Sequence, residues 1–297
     1  MRGREARNMG YMRLPNEVVM PYIGFGVFQI GDLRECQRAV ESALEVGYRL
    51  LDTAASYDNE QAVGEAVKTS GLAREDVFIT SKAYIHQMGY DKTMRAFEES
   101  CEKLQTDYLD LYLIHMPLGD YYGSWRAIEE LYGNGRIRAI GVSNFSSARL
   151  LDLCKNADIK PMVDQIEHHP HFQRAEEIRF MRSLDVQPQG WAPFAEGMHG
   201  MFDEPALRTI ADKHGKTPAQ VILRWDVQTG VPTIPKSTHA ERMEENIDVF
   251  DFELDDEDME LIAALDTGRP SMLDVDDPKE VERVYGYMEN PVVTSLN

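Results

Sequence analysis

Apolar residues follow two alternating rhythms along this chain. Short runs that are apolar at nearly every position give way to longer stretches with apolar residues three or four apart. The first rhythm predicts strands over residues 22–28, 48–52, 77–82, 108–115, 137–143, 162–167, 186–191 and 231–234. The second predicts helices over 33–46, 60–70, 91–104, 124–132, 148–155, 176–184, 205–214, 218–229 and 240–249. In the first helix Leu33, Cys36, Val40, Ala43 and Leu44 keep the spacing, and Gly47 supplies a stop.

Strict strand–helix alternation argues a parallel sheet, and eight repeats argue closure into a (β/α)8 barrel. Leu109 to Ile114 is apolar almost throughout, as a strand covered on both faces should be. A doubly wound open sheet is the rival. It calls for a Gly-x-Gly-x-x-Gly turn leading into a helix, whereas Gly24-Phe25-Gly26 continues as Val27-Phe28-Gln29. No linker divides the chain, so residues 11–297 are expected to form one barrel domain, with 1–10 a disordered extension. After Gly268 the chain has Pro270, Pro278 and Pro291 and little periodicity. That tail either folds over the barrel mouth or stays solvated.

Composition narrows the partners. The 297 residues carry 51 acidic and 31 basic side chains, a formal charge of −20. So acidic a chain repels nucleic acid and anionic membranes, and neither is expected as a partner. An anionic cofactor would need a local basic cluster. Cys36, Cys101 and Cys154 lie far apart and form no metal spacing or disulfide framework, which suits a reducing cytoplasm. No run is long and apolar enough for a membrane span of about 20 residues.

Barrel enzymes carry their chemistry at the C-terminal ends of strands. Here three strands end in Asp52, Lys82 and His115, and Tyr57 follows Asp52 in the turn before a helix. A phenol is protonated at neutral pH but is a sluggish acid unless its anion is stabilised. A neighbouring ammonium lowers its pKa, and a carboxylate keeps a buried ammonium charged. Tyr57 is therefore expected as general acid, tuned by Lys82, with Asp52 orienting Lys82 and His115 fixing the substrate oxygen. Taken singly, each has a plainer reading: a capping acid, a half-buried aromatic, a solvated lysine, a core histidine.

With these residues in order, the chain resembles the aldo-keto reductases, with a pattern similar to the branch that includes 2,5-diketo-gluconate reductases. Asp-Thr-Ala-x-x-Tyr-x-Asn-Glu is matched from Asp52 to Glu60, and Thr80-Ser81-Lys82 stands for Thr-x-Lys. Leu113 to Pro117, Gly141 to Phe145, Gln165 to Pro170 and Ile234 to Ser237 match four further motifs, and the resemblance runs from about Met20 to Asp266. It implies a single (β/α)8 barrel with an N-terminal β-hairpin and a C-terminal loop over the mouth. It also implies NADP(H) as cofactor and a small-molecule carbonyl substrate, in a chain expected to be monomeric.

The resemblance implies cofactor contacts at Gly26, Val27, Asp52, Ser143, Asn144, Gln165, Trp191, Ala192, Phe194, Ile234, Lys236, Ser237, Thr238, Arg242, Glu245 and Asn246. Ser143, Asn144 and Gln165 would meet the carboxamide, and Trp191 would stack on the nicotinamide. Lys236, Ser237, Thr238 and Arg242 would meet the 2′-phosphate, supplying the basic cluster that the net charge demands. Glu245 and Asn246 would meet the adenine. The chain departs from the pattern after Trp191: Ala192 to Gly197 lacks the usual serine, and Glu196 brings an anion toward the expected pyrophosphate. Phe28, Tyr57, Tyr84, His115 and Met116 would wall the substrate pocket, Tyr84 and Met116 standing where relatives often carry tryptophan. The cluster Glu167-His168-His169-Pro170-His171 invites a metal reading, but three histidines in four residues lack a completing ligand, and no metal is expected. Two rivals to a reductase are a non-catalytic cofactor-binding barrel subunit and a metal-dependent barrel hydrolase.

Overall fold

Strands β1 (Tyr11–Arg13) and β2 (Val19–Pro21) pair antiparallel as a hairpin ahead of the barrel, in a computed structural model that describes residues 10–287. Apart from Gly10, the extension expected over 1–10 lies outside the described residues. The barrel follows as β3 (Phe25–Gly26), α1 (Leu33–Val46), β4 (Leu50–Asp52), α2 (Glu60–Thr69), β5 (Phe78–Ala83), α3 (Tyr90–Leu104) and β6 (Leu109–Ile114). It continues as α4 (Tyr121–Gly133), β7 (Ile137–Ser143), α5 (Ser147–Asn156), β8 (Val163–Glu167), α6 (Ala175–Ser183) and β9 (Gln187–Trp191). Then come α7 (Pro205–His214), α8 (Pro218–Gln228), α9 (Ala240–Ile247), α10 (Asp256–Ala263) and α11 (Pro278–Gly286).

Strands β3 to β9 pair in chain order, every pair parallel. The eighth strand expected over 231–234 is reduced to bridges from Thr233 to Ile23 and to Gly190. Proline explains the reduction: Pro232 and Pro235 have no N–H to give a ladder. Their carbonyls still accept, from Gly190 at 2.7 Å and Gly26 at 3.1 Å, while Thr233 exchanges bonds with Tyr22 and Gly24. The ring therefore closes as a (β/α)8 barrel. The seam is tight enough that a Cβ on Gly26 would lie 2.9 Å from the Ile234 carbonyl oxygen, so glycine is required there.

Helix α1 is oriented as its spacing predicts, with Cys36, Val40, Ala43 and Leu44 buried. Leu33 instead is exposed, because it is the first residue after the Asp32 cap, whose side chain accepts from Glu35 N. Two helices lie where no periodicity predicted one. Helix α10 starts from a reciprocal cap between Asp255 and Asp258, and its buried residues are only Asp258 and Ile262. Helix α11 buries Val284 alone. Stripes that thin leave no rhythm to read.

Strand β8 carries a carboxylic acid in the core. Asp164 is fully buried, and neither oxygen has a partner of ordinary hydrogen-bond geometry among the described residues. Burial pushes its pKa up to about 8, with Arg174 and the Phe145 backbone opposing more weakly. The folded state thus keeps a proton that the unfolded chain releases near pH 4. Asp164 then favours folding least at high pH, its contribution declining as pH rises from about 4 to 8 by up to about 1.4 kcal/mol per unit. Asp164→Asn is expected to gain stability over the parent progressively across that window, measured by urea unfolding at pH 5, 6, 7 and 8.

Candidate active site

Adjacent strands β4, β5 and β6 deliver Asp52, Lys82 and His115 to one end of the barrel. Lys82 is fully buried, its Nζ donating to Asp52 Oδ1 at 2.5 Å and to the Thr53 carbonyl at 3.0 Å. Asp52 Oδ2 accepts from Gln165 Nε2 at 2.8 Å, and that amide also donates to Gln189 Oε1 at 3.0 Å. A polar chain thus crosses the barrel from β4 to β8 and β9, so the buried ammonium and carboxylate both have partners.

Tyr57 closes a short 3-10 turn, Ala55–Tyr57, whose exit residue Asp58 is left-handed at φ 54°. The neighbouring residues hold that turn in place. Asn59 donates to the carbonyls of Val27 (2.9 Å) and Ile30 (3.3 Å) and accepts from Thr53 Oγ1 at 2.8 Å. Glu60 accepts from Ser81 Oγ at 2.6 Å. Thr53, Asn59 and Glu60 therefore fix where the phenol ring can sit. Lys82 Nζ lies 5.2 Å from the centroid of that ring. The His115 ring meets it edge-on at 5.6 Å, and Phe28 packs at 4.9 Å. All four expected catalytic side chains converge.

Their electrostatics differ from expectation in one respect. The Tyr57 pKa is pushed well above the ordinary phenol value by burial first, with Asp52, Tyr84 and Glu196 adding to it. The expected net lowering is absent: burial and the nearby acid groups push the other way. Burial lowers the pKa of Lys82 while Asp52 and Glu60 pull it back up. His115 is held well below the usual imidazole range by burial and by the Lys82 charge, so the ring is neutral near pH 7. The site presents a protonated phenol and a neutral imidazole.

A cavity of about 1140 Å³ opens over these groups, larger than those that take one drug-sized molecule. Among the expected substrate residues, Phe28, Tyr57, Tyr84, His115 and Met116 all line it. So do Gly26, Asp52, Ser143, Asn144, Gln165, Trp191, Ala192, Phe194, Ile234, Lys236 and Arg242 among the expected cofactor contacts. Val27, Ser237, Thr238, Glu245 and Asn246 stand off its wall. Val27 is fully buried and Asn246 nearly so, and Glu245 borders a separate acidic depression beside α9. Asn144 takes a left-handed φ of 64° at the end of β7, donating to the His115 carbonyl and accepting from Trp191 Nε1 at 2.9 Å. The indole is thereby fixed against the cavity.

Several lining residues have no sequence signal. Ser56 Oγ lies 3.4 Å from His115 Nδ1. Gln29 Nε2 reaches Glu196 Oε2 at 3.2 Å, linking the loop after β3 to the one after β9. Met198 and Phe202 come from that second loop, and Met272, Leu273, Arg283, Val284 and Tyr287 come from the tail. The tail does border the mouth, partly as helix α11 rather than as a loop. Only the outcome of folding brings these residues near Tyr57.

The histidines at 168, 169 and 171 diverge. His168 Nδ1 meets Asp226 at 3.0 Å with its ring stacked on Trp225 at 4.6 Å; His169 meets Glu167 and His171 meets Glu204. Among the described residues no group of side chains is arranged to hold a metal ion. Nor is any helix there long and apolar enough to cross a membrane.

Polar side chains gathered at the C-terminal ends of barrel strands mark where such a fold carries chemistry, and the family and its oxidoreductase class come from comparison with known proteins. Residues 22–267 match the aldo/keto reductase family model, and the chain belongs to that family. It is 51% identical over 255 residues to a glyoxal reductase of Bacillus subtilis, covering 86% of this chain and 92% of the relative. It is 40% identical over 265 residues to the methylglyoxal reductase DkgA of Escherichia coli, covering 88% and 95%. An aldo-keto reductase of Bombyx mori, solved in complex with NADP, superposes with a TM-score of 0.85 at 31% identity, covering 92% of this chain and 96% of that one.

Proposed function

We propose that this protein is an NADP(H)-dependent reductase of small aldehydes and ketones, with uncharged dicarbonyls among its substrates and Tyr57 as proton donor. The observation that carries the reading is the layout of the cavity. A protonated phenol and a neutral imidazole line it beside a locked ammonium–carboxylate pair, and two cations line the same cavity. Lys236 and Arg242 are exposed and have no ion-pair partner among the described residues, in a chain with 51 acids. Unpaired cations on a cavity wall suit a phosphate group.

The polar atoms of the inner wall fit the rest of a nicotinamide dinucleotide. Ser143, Asn144 and Gln165 offer hydroxyl and amide groups at strand ends, and Trp191 offers a flat, fixed indole. Those residues would hold the cofactor, and Lys236 and Arg242 would meet its 2′-phosphate. When bound, the reduced nicotinamide supplies a hydride to the substrate carbonyl carbon. Tyr57 donates its proton to the carbonyl oxygen. His115, neutral, donates a hydrogen bond to the same oxygen and orients it. Lys82, held by Asp52, stabilises the developing phenolate through its charge. Phe28 and Trp191 exclude water from the reacting atoms.

Glyoxal and methylglyoxal are the substrates named for two relatives, and the apolar, aromatic wall around Tyr57 suits small uncharged carbonyls. The test is NADPH absorbance loss with glyoxal, methylglyoxal and aromatic aldehydes; binding of NADPH with no turnover of any carbonyl would leave a cofactor-binding barrel without reductase activity. For the cofactor, Lys236→Ala combined with Arg242→Ala is expected to weaken NADPH by about a hundredfold, on the order of 1.4 kcal/mol per lost charge-assisted contact. NADH should change by less than about threefold, since it has no 2′-phosphate. Equal loss for both cofactors in fluorescence titrations would remove this assignment.

A further inference from the structure

Glu167 ends strand β8 and is buried, with about 1% of its surface exposed. Its Oε1 accepts from the backbone N–H of Ser271 at 2.7 Å, and its Oε2 lies 3.4 and 3.3 Å from the N–H groups of Met272 and Leu273. His169 Nε2 is 3.1 Å from Oε1. No lysine or arginine pairs with this carboxylate among the described residues. A buried carboxylate in that position is stabilised by the three consecutive tail amides that converge on it.

Those amides belong to a segment that shares the cavity with Tyr57, Ser271, Met272 and Leu273 all lining it. The tail has other polar ties: Arg283 Nη2 on α11 donates to the Met272 carbonyl at 3.0 Å. Arg149 meets Asp276 at 3.6 Å on the surface, and the Tyr84 hydroxyl reaches the Val284 carbonyl at 3.5 Å. Val284 packs on Tyr84, Ile85 and Leu118, Leu273 packs against the same cluster and Met272 against a second one, so apolar contacts on the segment join the amides held by Glu167. Glu167 also stands opposite Trp191 in the β8–β9 register. Two residues earlier on the same strand, Gln165 bonds Asp52. Strand β8 thus reaches both the reacting floor and the outer wall.

We propose that Glu167 is a positioning residue that latches residues 271–273 over the cavity and so sets selectivity among large carbonyl substrates. The inference rests on the reductase reading for its kinetic consequence, though not for the latch itself. A glyoxal-sized substrate touches the wall near Tyr57, His115 and Trp191 and does not need the tail. A bulky aromatic aldehyde extends to Met272 and Leu273 and does. Latch loss should therefore separate the two substrates, which a general structural role would not do.

The experiment uses the full chain with Glu167→Gln, which keeps side-chain size but removes the negative charge, and Ser271→Pro, which deletes the shortest donor from the tail side. Hydrogen–deuterium exchange of the 271–273 amides is expected to speed up at least tenfold in Glu167→Gln, with β8 and β9 protection unchanged. The kcat/KM for a bulky aromatic aldehyde should fall about tenfold or more through KM, that for glyoxal should stay within about twofold, and the NADPH Kd should not move. If Glu167→Gln does not fold, Ser271→Pro is expected to give the same substrate split. Unchanged tail protection, or equal losses for small and bulky substrates, would overturn the latch. Should the parent protein reduce no carbonyl at all, the reductase reading fails, and the exchange measurement still decides the latch.

Discussion

Tyr57→Phe is expected to lower kcat/KM for carbonyl reduction by about a thousandfold, within the 10²–10⁴ range for a positioned general acid. Among the groups near the phenol, Lys82 is sequestered by Asp52 Oδ1 and the Thr53 carbonyl. His115 is neutral, kept so by burial and by the Lys82 charge, and a neutral imidazole is a hydrogen-bond donor rather than a strong acid. Ser56 faces His115 Nδ1. With the Tyr84 hydroxyl reaching the Val284 carbonyl at 3.5 Å, the Tyr57 hydroxyl is the proton donor we propose. NADPH affinity should change by less than about threefold, because the contacts proposed for the cofactor lie chiefly at the ends of β7, β8 and β9, on α9 and on the segment before it. Quenching of Trp191 fluorescence by the cofactor would measure it. With the phenol pKa raised and the imidazole pKa lowered, neither group changes its protonation between pH 6 and 9. Reductive kcat/KM in the parent should be flat across that window. Full activity in Tyr57→Phe would remove the role, and a pronounced bell centred near neutrality would contradict the two protonation states.

Most of this site could be read from residue order because its parts sit at strand ends. Strand position is set by apolar runs such as Leu109 to Ile114, and a parallel barrel carries every strand end to one rim. The turn bearing Tyr57 was legible as a motif, though not its cause. That Asn59 reaches back to the Val27 and Ile30 carbonyls is a contact between segments about thirty residues apart, with no periodic trace. The tail was illegible for a different reason. Helices α10 and α11 bury one or two residues each and begin with acid caps, so their stripes vanish among Asp255, Asp256, Asp258 and their neighbours. The eighth strand is shorter than expected because Pro232, and Pro235 just beyond residues 231–234, cannot donate to a ladder. The direction of the Tyr57 shift needed burial and the full set of surrounding charges. A lysine nearby argues for a lowered pKa only until its own partners are known, and here Asp52 is one of them.

Lys82→Met is expected to reduce unfolding free energy by about 3–5 kcal/mol, the usual cost of leaving one member of a buried ion pair alone. Asp52 is about 2% exposed, and without the ammonium it would keep the Gln165 amide as its one close donor among the described residues. Pairing the change with Asp52→Asn removes the stranded charge, and the double variant should recover most of the lost stability in urea unfolding. It should not recover activity. Lys82 Nζ stands 5.2 Å from the Tyr57 ring centre, close enough for its charge to favour a phenolate forming there, and neither methionine nor asparagine carries that charge. The two readouts therefore part: stability follows whether the pair is matched, and turnover follows whether a cation is present. A stable Lys82→Met variant would mean that the pair is far better solvated than its burial allows. An active double variant would mean that Tyr57 protonates its substrate without help from the ammonium, and the role given to Lys82 would fall while the fold around it stood.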